Sequence, residues 1–574
     1  MISPAWPLLI AALLILALPA RLRSPFFILA VALSGLAMSQ LGEGAGPAVN
    51  FIGYELVTTQ VDRLSLAFGY IFIVITIIGG IFGFHVKDRW EQCFTLLYAG
   101  GALGVVFSGN LLSLFIFWEL MAWTSLYLVW SRRTPASRSS GMRYLITHLV
   151  GGSILLAGIL LHITTTGDIS FEPMGQSLAS YLILAGFALN AAIPPLHFWL
   201  PDAYPESSIT GGVYLSAFTT KTAVYALVRG FAGWDILIIL GAIMAIYGVF
   251  YTIIQNDTRR ILSYHIVSQV GYMVCGIGIG TTLAVNGTVA HAINNILYKG
   301  LLFMATGSLL QATGKSRLSE LGGLYRHLPW LLILYMVGAF SIAGIPGFSG
   351  FASKPMVISA AELSSPEWVT ILLELASVGT FLSLVIKLPY FAWFGKGSAE
   401  ITTQRLPKGM YIAMGLTAML CVGIGIFPQL LYGILPFEVD YQPYTAQHIL
   451  NTLELQVFTL LAAILLLGYL KSGAKITLDV DWLYRRPAPY AYRLFVMLPD
   501  RVFAAIERFG LYLADLARMF ARNPLHFLTG WAKRLGSTRY RKEEIDSTDS
   551  RLSIGVMGMV LLLGFAIIVV LLLV

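Results

Sequence analysis

Apolar runs of about 17–25 residues recur along this chain from one end to the other, and each is long enough to cross a bilayer as a helix. No soluble core could hide that much apolar surface. Hydrophobic residues make up 57% of the 574 positions and charged residues 11%, against roughly 25% charged in a typical soluble domain. The runs lack the alternation of barrel strands, so helices are the form that satisfies their backbone in lipid. The sequence therefore predicts an all-α polytopic membrane protein with about sixteen spans.

The charges agree with that reading. A net charge of +8 could suggest nucleic acid, but its distribution does not. Arg21, Arg23, Lys87, Arg89, Arg132, Arg133, Arg138, Arg143, Arg259, Arg260, Lys315, Arg317, Arg326, Lys396, Arg405 and Lys408 fall in alternate loops. The opposite loops hold Glu43, Glu55, Asp168, Glu172, Glu438 and Asp440, with Arg63 and Arg229 as basic exceptions. This positive-inside bias puts the basic loops in the cytoplasm and both termini outside a cell inner membrane. The first apolar segment reads as a span. A cleaved signal peptide, with Ala17 and Ala20 as its small-residue site, is the alternative.

Along the chain the expected parts are N-terminal transmembrane helices (1–90), a first repeat (91–230), a second repeat (231–394) and C-terminal transmembrane helices (395–471). A polar amphipathic region (472–552) and a last transmembrane anchor (553–574) follow. The repeats rest on an echo. The apolar runs at 178–200 and 329–363 are each interrupted at an Ile-Pro pair, Ile193-Pro194 and Ile345-Pro346. A lysine follows in the next run, Lys221 and Lys387 respectively. Paired broken helices point to inverted repeats with ion sites where the helices unwind. In the polar region Val502, Phe503, Ile506, Phe509, Leu513, Leu516 and Phe520 recur at helical spacing opposite Arg501, Glu507, Arg508, Asp515, Arg518 and Arg522. Pro499 suits a helix start and Pro524 a stop. Such a helix lies on the lipid surface, on a neighbouring subunit or on its own protein.

Ionisable residues inside spans cost about 2.5–3.5 kcal/mol each on insertion scales, so each is a functional candidate. Here they are Glu119, Lys221, His265, His291, Lys299, Lys354, Glu374 and Lys387. They are mostly basic and spread over many helices. One substrate site would cluster them; a proton path strings them out. His291, Asn295 and Lys299 share one helix face. His265 reads equally as a packing histidine, and His148, His162 and His197 read more readily as structural. Cys93, Cys275 and Cys421 sit in spans without metal-ligand spacing. No phosphate-binding glycine loop, no nucleophile beside a base and no Cys/His cluster is visible, so neither cofactor, metal nor catalytic site of its own is expected.

Several segments resemble one family: FWEL around Glu119, PLHFWLPDAYPE at 195–206, TKTAVYALVR at 220–229, SYHIVSQVGYM at 263–273, HAINNILYKGLLFMATGS at 291–308 and GIPGFSGFASK at 344–354. The chain is similar to the antiporter-like subunits shared by Mrp-type cation/proton antiporters, respiratory NADH:quinone oxidoreductase and membrane-bound hydrogenases. It is most like the D-type group among the Mrp subunits. The resemblance implies a proton pathway through Glu119, Lys221, His291, Lys299 and Lys354, with other membrane subunits, protons and a monovalent cation as partners. One departure stands out. Where the family has a lysine five residues before the proline of its PLHxWLPDA motif, paired with the Glu119 position, this chain has Asn190. Three readings stay open: a subunit of a Mrp-type antiporter, a membrane-arm subunit of a redox-driven pump, or a structural subunit that has lost transport.

Overall fold

The computed structural model describes residues 3–51, 53–395, 403–465, 468, 479–524, 528, 530–531 and 554–573. Lys396, and 472–478 and 532–552 of the polar region, lie outside the described residues. The described chain falls into two units, Met1–Asp479 and Val480–Val574.

The described residues of the first unit are mostly helical. Its helices are α1 (Ala5–Ala17), α2 (Ala20–Ser39), α3 (Arg63–Phe82), α4 (Arg89–Val106), α5 (Leu111–Trp130), α6 (Pro135–Thr166), α7 (Leu178–Asn190), α8 (Trp199–Ala203), α9 (Ile209–Ala217) and α10 (Thr219–Phe231). There follow α11 (Asp235–Ile254), α12 (Thr258–Ile279), α13 (Thr282–Thr313), α14 (Pro329–Ala343), α15 (Lys354–Ser364), α16 (Glu367–Thr380), α17 (Lys408–Ile426), α18 (Gln429–Tyr432) and α19 (Ala446–Leu465). Among the described residues nine helices are long and apolar enough to cross a membrane, and shorter apolar ones such as α1, α7 and α14 lie beside them. Between α2 and α3 two small antiparallel hairpins form, Gly44–Ala45 with Gln60–Val61 and Ala48–Phe51 with Tyr54–Val57. Apolar periodicity gave no sign of them. Arg138 and Arg143, expected in a loop, lie in the first turns of α6, which starts on a Thr134–Ser137 capping box.

The layering is that of a membrane bundle. The most apolar window of α12 is wholly buried, whereas that of α19 is 17% buried. The buried helices are the polar ones: α12 and α13 between them enclose His265, Gln269, His291, Asn294, Asn295 and Lys299. The outer faces are apolar, as with Ile236, Ile239, Ile243 and Phe250 along α11. Small residues let α11 and α12 approach backbone to backbone. A Cβ on Gly241 would lie 2.3 Å from the Cys275 amide, and one on Gly248 2.4 Å from the Ser268 amide. Close approach of this kind is how helices gain packing where lipid supplies no hydrophobic driving force.

Both expected interruptions are present. α7 stops at Asn190, and the chain turns through Ala191–Phe198 before α8. The long apolar run at 329–363 is two helices: α14 ends at Gly344, which has φ +73°, and α15 begins at Lys354 after a short 3-10 turn. Gly347, at φ +89°, makes the same break. Positive φ is open to glycine at little cost, and a Cβ on Gly350 would strike the Ser341 carbonyl oxygen. A third interruption, which proline did not announce, separates α9 from α10 at Phe218.

In the second unit Leu498–Arg522 is one helix with Pro499 in its first turn, and Ile554–Leu573 is another. Within that unit Phe503, Ile506 and Phe509 are exposed and Leu516 is half-buried.

Candidate functional site

Lys221, His265, His291, Lys299, Lys354 and Lys387 are all at most 2% exposed. Among the described residues none of the four lysines is in an ion pair with a carboxylate. Backbone carbonyls and hydroxyls hold them instead. Lys221 donates to the Ser216 carbonyl at 2.8 Å, in the last turn of α9, and to Thr220 Oγ1 at 3.2 Å. Lys299 donates to the Leu262 carbonyl at 3.1 Å. Lys387 reaches the carbonyls of Thr252, Ile253 and Gln255, the last at 2.7 Å, and so caps the C-terminal end of α11. Helix C-termini carry partial negative charge, which favours an ammonium there. Lys354 donates to Ser377 Oγ at 3.2 Å and lies 5.5 Å from the centre of the Tyr272 ring.

Side chains join several of these groups. Ser377, Thr380 and Ser383 stand at three-residue spacing on α16 and its continuation, a π-helical stretch from Phe381 to Lys387. Ser377 meets Lys354. Thr380 Oγ1 accepts from Gln269 Nε2 at 3.5 Å, and Ser383 Oγ lies 2.7 Å from His265 Nε2. From Gln269 the contacts continue through Tyr298, whose hydroxyl is 3.4 Å from Gln269 Oε1 and 3.4 Å from His291 Nε2. His291 Nδ1 is 3.4 Å from Ser353 Oγ, which also accepts from Asn294 Nδ2 at 2.9 Å. Ser353 directly precedes Lys354 at the second break. Asn295 joins by donating to the Tyr298 hydroxyl at 3.0 Å. Lys299 shares the α13 face of His291 without touching it.

Lys354 opens onto a cavity of about 170 Å³ between α15, α16 and α19, lined also by Glu362, Glu374, Ser377 and His448. That space takes several waters, and its lining supplies their partners. Glu362 and Glu374 are exposed there, near the α15–α16 turn and away from the basic loops.

The other half is sparser. Glu119 on α5 is half-buried, and its buried Oε1 has no hydrogen-bond partner. It packs against Gly152 of α6, where an added Cβ would lie 1.9 Å from that oxygen. Asn190, 6% exposed at the end of α7, lies beside the His148 ring. Lys221 stands elsewhere, on the far side of the first break, wholly buried in α10.

Sequence reasoning missed two buried carboxylates. Asp479 accepts hydrogen bonds from the hydroxyls of Tyr247 and Tyr264 and lies 3.4 Å from His197 Nε2 at the first break. It belongs to the polar stretch after α19, where no apolar run flags an inward-pointing acid. Glu91 stands at the start of the apolar run that follows Arg89; it is 9% exposed and accepts from Ser208 Oγ at 2.6 Å and from Thr210. The exceptional cations of the acidic face are paired: Arg229 with Asp62 at 2.6 Å and Arg63 with Glu43 at 3.9 Å. On the basic face Arg143 forks onto Asp202 at 2.7 and 2.9 Å. Several peripheral charges are thus paired, whereas among the described residues the four central lysines are in no ion pair. Among the described residues no group of three His, Cys, Asp or Glu side chains is placed to hold a metal ion.

A multi-pass helical membrane protein with two broken helices and a buried line of titratable side chains is the class that this fold and site define. Residues 108–383 match the family described as NADH:quinone oxidoreductase/Mrp antiporter, TM, and over that stretch the chain resembles that antiporter-like family. The D subunit of the Na(+)/H(+) antiporter of Alkalihalophilus pseudofirmus is 28% identical over 389 residues, 63% of this chain and 77% of that protein. A chain of the Mrp complex from Dietzia sp. DQ12-45-1b has a TM-score of 0.67 at 22% identity and covers 78% of this chain and 98% of its own. A chain of the membrane-bound sulfane sulfur reductase, an archaeal respiratory membrane complex, reaches 0.70 at 24% identity, covering 93% and 98%. The chain is an antiporter-like membrane subunit of the kind found in such multi-subunit complexes.

Proposed function

We propose that this chain conducts protons within a multi-subunit Mrp-type cation/proton antiporter of the cell inner membrane, with both termini outside. The observation that carries the reading is the second-half string. His265, His291 and Lys354 are joined or bordered by hydroxyl and amide side chains up to the cavity at Lys354, with Lys299 and Lys387 buried in the same half and in no ion pair among the described residues. Burying an ammonium without a countercharge is expensive, and carbonyl contacts satisfy an amine in either protonation state. A lysine so placed gives up and regains a proton as a neighbouring charge moves. Packing alone would be served more cheaply by leucine or methionine. The cavity with Glu362 and Glu374 is the outlet, and Lys387 with the Asp479 cluster is the inlet on the basic face. The amphipathic helix at Leu498–Arg522 lies along lipid or a neighbouring subunit.

A second reading, a membrane arm of a redox-driven pump, gains support from extent. The sulfane sulfur reductase chain covers 93% of this chain, the Mrp chain 78%. The subunits that co-purify with the tagged protein separate the two: small cation-antiporter subunits, or iron–sulfur and hydrogenase-like ones. Proton conduction itself is tested by Lys354→Ala and Glu119→Ala in vesicles. Loss of exchange in fully assembled complexes supports it. Wild-type exchange in both would leave the chain as a structural subunit.

A further inference from the structure

Among the described residues the first half holds a carboxylate that is in no ion pair. Glu119 Oε1 is buried, lacks a hydrogen-bond partner and fills the space that a side chain at Gly152 would take. One turn back on the same face of α6 stands His148, and residues so spaced have Cβ atoms about 5–6 Å apart. His148 is 3% exposed. Its ring is held between Tyr144, with centroids 4.1 Å apart, and Trp199, at 4.7 Å. Its Nε2 is buried without a partner. A histidine kept only for packing would lose the solvation of that nitrogen and gain nothing for it.

Among the described residues, Arg138 of α6 is exposed and in no ion pair, and two other cations near this ring are paired. Arg143, on α6 itself, forks onto Asp202 of α8. Arg132 pairs at 3.1 Å with Glu206, in the turn after α8. The Tyr144 hydroxyl meets Ser125 at 2.8 Å, and the Tyr204 ring lies beside Trp199 with its buried hydroxyl lacking a hydrogen-bond partner among the described residues. From α7 comes Asn190, whose amide lies beside the ring. An amide can donate to a neutral imidazole or accept from a protonated one. It can therefore hold the ring through a change of charge.

We propose that His148 is the proton-exchanging partner of Glu119 and that Asn190 positions its imidazole. The inference rests on the proton-conducting reading above. The proton of a neutral Glu119 carboxyl passes through a bridging water to the free nitrogen of His148, leaving a carboxylate and an imidazolium. The reverse step restores both groups, and no other reactant is needed. Asn190, which carries no charge, thus serves a switch whose base stands on the neighbouring helix.

The test uses the full complex in proteoliposomes. His148→Gln keeps the size and polarity of the side chain and removes its proton chemistry; exchange should fall about a hundredfold, as with Glu119→Gln. The double variant should be no slower than either single one, because the two act as a unit. Adding Asn190→Lys to His148→Gln supplies a cation in the same place. It should bring exchange back to within about threefold of wild type and shift its pH midpoint upward, since an amine binds its proton more tightly than an imidazole. A merely structural histidine would not be rescued from a different helix. Near-wild-type exchange in His148→Gln, with Glu119→Gln inactive, overturns this inference and leaves the proposed function standing. Wild-type exchange in Glu119→Gln overturns both. If His148→Gln does not assemble, Asn190→Lys alone decides. A new cation against the ring must move the pH midpoint, and an unchanged midpoint overturns the pairing.

Discussion

Gly152→Ala perturbs the pathway without touching a titratable group. The added Cβ would lie 1.9 Å from Glu119 Oε1, where a carbon–oxygen contact needs about 3.3 Å. The carboxylate must therefore retreat by more than an ångström. It is the free end of a flexible side chain, so the cost of an off-rotamer torsion is about 0.5–1.5 kcal/mol. The better helix propensity of alanine offsets about 1 kcal/mol of that. Assembly and melting should then be close to wild type. Transport should not, because a misplacement of about 1 Å can slow a reaction about a hundredfold, which is about 2.7 kcal/mol on the barrier. The assay is proton–cation exchange by the purified complex in proteoliposomes with a pH-sensitive dye inside. Gly415→Ala, which meets nothing within 4 Å, is the control. Exchange in Gly152→Ala equal to that control would refute the claim that the Glu119 carboxylate works from this position.

The hydroxyl ladder on α16 makes a second test. Ser383→Ala removes the partner of His265 Nε2 at 2.7 Å and should lower both exchange and stability, the latter by about 1–3 kcal/mol for a buried group left unsatisfied; a thermal melt and the vesicle assay read the two, and a variant unchanged in both would take His265 out of the string. Asp479→Asn keeps an acceptor for one of Tyr247 and Tyr264, turns an amide donor toward the other hydroxyl and removes the charge 3.4 Å from His197, so exchange should fall about tenfold or more at unchanged assembly. Unaltered exchange over the whole pH range would mean that the Asp479 cluster is not the inlet.

The fold class was legible because lipid leaves so few options: long apolar runs, paired proline breaks and alternating basic loops all follow from backbone satisfaction and charge cost. The intramembrane lysines and histidines were legible for the same reason. What those side chains touch was not. Lys387 is held by carbonyls of α11, more than a hundred residues earlier in the chain. The serines and threonine of α16 looked like ordinary helix residues until their partners on α12 and α15 were seen. Asp479 escaped notice because a carboxylate in a polar stretch carries no mark of burial. The break at Phe218 lacks a proline, so only the three-dimensional structure reveals it. Asn190 drew attention as a departure from the family pattern, but its contact with His148 depends on the packing of α6 against α7.

Proton flux through complexes carrying Lys299→Ala tests the central claim most directly. Lys299 is wholly buried midway along α13 and bonded to one backbone carbonyl. The complex should be purified with its full set of subunits, reconstituted, and driven by an imposed cation gradient while the internal pH is followed. A conducting string predicts flux no greater than that of empty vesicles. Wild-type flux in the fully assembled variant would contradict it.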